Sequence, residues 1–89
     1  MGENEILRAA IKIYGEKAQE EVAIEECSEL IQAICHKHRG REHNIAEEIA
    51  DVEIMLSQLK IINDCSDEVA KIHASKIKRL YSNVFNNCL

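Results

Sequence analysis

Ile24-Glu25-Glu26-Cys27-Ser28-Glu29-Leu30-Ile31-Gln32-Ala33 and, after an intervening turn, Ile45-Ala46-Glu47-Glu48-Ile49-Ala50-Asp51-Val52 are the stretches that decide the fold. Both are free of proline and glycine, and their apolar residues recur at helical rather than alternating spacing. Within them, Glu26 and Glu29 are three residues apart, as are Glu48 and Asp51. On a helix each pair therefore lies on one face, about 5–6 Å apart.

A solvated face is the ordinary fate of an acidic residue in a chain this charged. The helical positions argue otherwise for these four. Val22, Glu26, Glu29 and Ala33 follow the spacing of a single stripe. Beside it, Ala23, Cys27, Leu30 and Ile34 are predicted as the main core face, with Cys27 as a small apolar filler. On the second helix Glu48, Asp51, Met55 and Ile62 form a mixed stripe that borders a predicted core of Ile45, Ile49, Val52, Leu56 and Leu59. Glu47 and Glu53 flank that core and read as more solvent-facing. Each helix thus places a carboxylate pair at the edge of its buried face. Half-buried carboxylates need a partner, a proton or a metal. Four of them from two antiparallel helices suit a hard cation with oxygen ligands, Mg²⁺ or Mn²⁺.

The 89 residues include no proline, three glycines and few aromatic rings, and they carry a net charge of −5. This composition predicts one all-α domain over residues 1–89. Helix one spans roughly residues 3–14, with Ile6, Ala10 and Ile13 at helical spacing, and Gly15 breaks it. The second helix runs from about Glu16 to His38 and stops at Gly40. Asn44 reads as the cap of helix three, with Glu47 completing a capping box, and that helix runs to about Ile62. Helix four covers about Asp67 to Asn83. Short connections favour antiparallel neighbours, so the expected architecture is a four-helix antiparallel bundle. Its core is modest for so short a chain, and completion by oligomerisation is expected.

The negative charge argues against duplex nucleic acid as a partner. No apolar run approaches membrane-spanning length, and no signal-peptide pattern opens the chain. Cys27, Cys35, Cys65 and Cys88 contain no C-x-x-C pair, so reduced thiols in a cytoplasmic protein are expected. Cys35, His36, His38 and His43 fit no common zinc spacing. On helix four, Lys76 shares a side with Val69, Ile72 and Leu80, and Arg79 lies at that face's edge. Two readings stay open for them: a salt bridge to the acidic cluster, or binding of a substrate phosphate. Gln19, upstream on helix two, is either a solvated side chain or a substrate contact.

The pattern E-E-x-x-E at Glu25, Glu26 and Glu29, followed on the next helix by E-x-x-D at Glu48 and Asp51, resembles the MazG-like nucleoside triphosphate pyrophosphohydrolases of the all-α NTP pyrophosphatase group. The resemblance extends from about Tyr14 to Ser82. It includes Tyr14-Gly15, Gln19 and the two stretches quoted at the outset. It implies that Glu26, Glu29, Glu48 and Asp51 ligate Mg²⁺, and that Glu25 orients a ligand or a water. It also implies hydrolysis of a nucleoside triphosphate to the monophosphate and pyrophosphate. Lys76 and Arg79 look like the basic positions that follow the second acidic motif in that family. A homodimer or homotetramer is implied as the working form. The chain departs from two-domain MazG proteins in holding one copy of the module. It also lacks tryptophan; Tyr14, Tyr81 and Phe85 are its only aromatic rings. Phosphoribosyl-ATP pyrophosphohydrolase, of similar length and also with paired acidic motifs, is the nearest enzymatic alternative. A non-catalytic, metal-binding helical oligomer is the alternative from another class.

Overall fold

A computed structural model describes residues 1–86; Cys88 lies outside the described residues. Four helices follow in order: α1 (Glu3–Tyr14), α2 (Glu16–His38), α3 (Ile45–Ile62) and α4 (Ser66–Phe85). No strand occurs among the described residues. The boundaries match the sequence reading, except that α4 starts one residue earlier and ends two residues later than expected. No helix among the described residues is long and apolar enough to cross a membrane.

Helix ends are fixed by backbone geometry. Gly15, at φ 96°, separates α1 from α2, a conformation that a side chain would strain. At the end of α2, the Arg41 amide donates to the His36 carbonyl (2.9 Å) and the Gly40 amide to the Lys37 carbonyl (3.1 Å). Gly40 sits at φ 69°, so this is a Schellman ending with glycine in the left-handed position. The end of α3 repeats the pattern. Cys65 N–H donates to Lys60 and Asp64 N–H to Ile61, both at 3.1 Å, with Asp64 at φ 48° in the place of the glycine.

At the start of α3 the expected capping box does not form. Asn44 is the capping residue, but its side chain makes no cap hydrogen bond. Its Nδ2 instead donates to Glu48 Oε1 at 2.8 Å. The physical reason is burial. Glu48 is only 5% exposed, and a sequestered carboxylate needs a donor more than a helix end that water can reach.

The α2–α3 hairpin is the centre of the molecule, with α1 packed against both helices and α4 touching only α3. The buried stripe of α2 is Gln19, Ala23 and Ala33, with Val22, Glu26 and Leu30 half-buried. That of α3 is Glu48, Val52, Met55 and Gln58. The predicted core faces are therefore rotated. Cys27 and Ile34 are exposed, as are Ile49 (45%) and Leu56 (48%). Of the acidic residues, Glu48 is buried, Glu26 and Asp51 are half-buried and Glu29 is exposed, so the acidic stripes border the buried face as expected. On α1, Leu7 is buried with Ala10 and Ile11 half-buried, whereas Ile6 and Ile13 are exposed. No residue of α4 is buried. Within one chain the fourth helix thus touches α3 but neither α1 nor α2, and a closed four-helix bundle is not formed.

Candidate metal and phosphate site

Antiparallel packing of α2 on α3 brings the two acidic motifs face to face. One carboxylate oxygen each from Glu26, Glu29 and Glu48 lies within 4.8 Å of the others. Asp51, half-buried and three residues along α3 from Glu48, adds its negative charge to Glu26 and Glu48.

Electrostatics at this cluster follow from its geometry. Burial, and then the negative charges of Glu29 and Asp51, raise the Glu26 pKa from 4.5 to about 7. Burial and Glu29 likewise raise Glu48, while the hydrogen bond from Asn44 pulls the other way. One oxygen of each, Glu26 Oε2 and Glu48 Oε2, is sequestered without any hydrogen-bond partner. Buried polar atoms are nearly always paired. Two orphaned carboxylate oxygens beside a third carboxylate form a donor set that fits a cation, although acidic groups often cluster without one.

Beside the cluster is an open pocket of about 330 Å³, lined by Glu29, Gln32, Ala33, His36, Asn44 and Glu48. This is the low end of the size range for small-molecule sites. His36 and Asn44 were not among the site residues expected from sequence, where they read as a surface histidine and a helix cap. Spacing carries the missing signal: His36 extends the Glu29–Ala33 stripe by one more turn, and Asn44 precedes Glu48 by four residues.

The other expected site residues lie elsewhere. Glu25 is exposed and outside the converging group. Gln19 is buried and does not line the pocket. Lys76 and Arg79 line a separate depression on α4 with Ile72 and Ser75. Since α4 packs on neither α2 nor α1, one chain does not bring these cations to the acidic cluster. Comparison of the chain with protein-family models, with curated proteins and with solved structures gives no match.

Proposed function

We propose that this chain is a Mg²⁺-dependent nucleotide pyrophosphohydrolase, converting a nucleoside triphosphate to its monophosphate and pyrophosphate. One observation carries the reading: Glu26, Glu29 and Glu48 converge from two helices, with Asp51 beside them and two buried carboxylate oxygens unpartnered. These are the residues that the E-E-x-x-E and E-x-x-D resemblance selects. Glu26, Glu29, Glu48 and Asp51 would hold Mg²⁺, or Mn²⁺ in its place. The cation would supply charge neutralisation to the phosphates and polarise the phosphorus under attack. Asn44 fixes the rotamer of Glu48 through its 2.8 Å hydrogen bond. His36, Asn44 and Gln32 present polar groups to whatever enters the pocket. The working form is a cytoplasmic homodimer or homotetramer in this reading. Cys27, Cys35 and Cys65 are free thiols, which suits a reducing compartment.

The position of Lys76 and Arg79 favours a second reading. Among the pocket-lining residues no lysine or arginine occurs, whereas phosphoryl chemistry generally uses cationic donors. A metal-binding helical oligomer without turnover would have the same acidic cluster. Pyrophosphate release from a panel of NTPs, dNTPs and phosphoribosyl-ATP, with and without Mg²⁺, separates the readings. Mg²⁺-dependent release from any member supports the enzyme, and the preferred member identifies its class. A silent panel from a folded protein that binds Mg²⁺ establishes the alternative.

A further inference from the structure

Asn44 immediately precedes α3, where an asparagine ordinarily turns its side chain onto the first free amides of the helix. It makes no such bond. Its backbone, at φ −119° and ψ 43°, lies away from the extended conformation usual for a capping residue. The Ile45 amide donates instead to His43 Nδ1, over 3.4 Å. Released from the helix end, Asn44 Nδ2 donates to Glu48 Oε1 at 2.8 Å, one turn further along the same face.

That hydrogen bond divides the two oxygens of Glu48. Oε1 is held by Asn44. Oε2 is sequestered without a hydrogen-bond partner, on a side chain only 5% exposed that converges with Glu26 and Glu29. A carboxylate free to turn can offer a cation one oxygen or both. One tethered through Oε1 by a short, charge-assisted bond offers Oε2. Cations differ in which they accept. Ca²⁺ takes about six to eight oxygens in irregular arrangements, often both oxygens of one carboxylate, whereas Mg²⁺ demands a near-octahedral set. Ligand number and flexibility therefore decide between the two ions.

We propose that Asn44 is a positioning residue that sets the cation preference of the acidic site. By holding Glu48 Oε1 it limits that carboxylate to one ligand oxygen and favours Mg²⁺ over Ca²⁺. This rests on the ligand assignment of the proposed function and is independent of the reaction.

Asn44→Ser and Asn44→Thr test it. Serine and threonine also start helices well, but neither carries the amide that reaches Glu48. Mn²⁺ is the probe: the electron paramagnetic resonance signal of the free ion reports its binding, and Mg²⁺ and Ca²⁺ are each titrated against it. In the variants Mg²⁺ affinity is expected to fall about 10–100-fold, the usual effect of losing a partner that orients a ligand. Ca²⁺ affinity is expected to fall less, because the released carboxylate can supply its second oxygen. The ratio of Mg²⁺ to Ca²⁺ affinity therefore drops, while circular dichroism stays unchanged. A wild-type chain that binds no Mn²⁺ overturns the ligand assignment and this inference with it. Wild-type binding of Mn²⁺ with an equal or higher ratio in the variants overturns the inference alone, since a merely structural change weakens both ions alike. Loss of helix in both variants also overturns it, because Asn44 would then be holding the helix start rather than the carboxylate.

Discussion

At Glu26, burial and three neighbouring carboxylates all act in the same direction, and the pKa rises from 4.5 to about 7. The folded chain therefore holds a proton that the unfolded chain releases, so the metal-free protein loses stability as pH rises between those values. Glu48 is shifted the same way and adds to the slope. Melting temperature in chelator is thus expected to fall between about pH 5 and pH 8, and Mg²⁺ affinity to climb over the same range, because ligation needs the ionised form. A melting temperature independent of pH in chelator would remove the cluster's electrostatic account. Glu29 is the largest charge acting on both Glu26 and Glu48. Glu29→Gln is expected to bring both pKa values down and raise the metal-free melting temperature. In the same variant, and in Asp51→Asn, Mg²⁺-dependent turnover should drop at least about 100-fold, more than the loss of an outer-shell partner produces. Turnover unchanged in both variants would refute the ligand assignment.

At the scale of the helices, the sequence was legible where the signal is local. Gly15 and Gly40 end their helices because each adopts a positive φ that the neighbouring hydrogen bonds require. The turn after α3 has the same geometry with Asp64 in the left-handed position. An L residue there is strained by up to about 1–2 kcal/mol relative to glycine, and aspartate is among the better tolerated. Asp64→Gly is expected to stabilise the chain by about 0.5–1 kcal/mol, measured by urea unfolding. No change, or a loss, would show that its side chain compensates for the strain. Helix faces were harder to read than helix ends. Apolar spacing predicted Cys27, Ile34, Ile49 and Leu56 as core, yet these are exposed, and Glu48 and Gln58 are buried instead. Periodicity reports which face shuns water, but not whether the covering surface belongs to the same chain. The convergence of Glu26, Glu29 and Glu48 was legible because a spacing of three survives that ambiguity. His36 and Asn44 were passed over because each had a simpler local explanation.

The whole molecule buries a small interior: among the described residues the buried apolar ones are Leu7, Ala23, Ala33, Val52 and Met55, and the most deeply buried polar groups are Gln58 and Glu48. Two alanines contribute little transfer free energy, and larger side chains such as Ile24, Ile31 and Leu80 remain in water. Burial of this kind leaves a chain of 89 residues near the limit at which folding offsets its conformational entropy. In the proposed homo-oligomer, association would supply part of the folding free energy, and stability would become a function of protein concentration. The melting temperature of the unaltered chain is expected to rise steadily with the logarithm of concentration. Ile31→Glu, which places a charge on an exposed apolar position of α2, should melt lower and lose that dependence. A wild-type melting temperature constant over a hundredfold dilution, roughly a 2.7 kcal/mol change in the association term, would mean that the monomer is self-sufficient. The exposed faces of the hairpin and of α4 would then need another explanation.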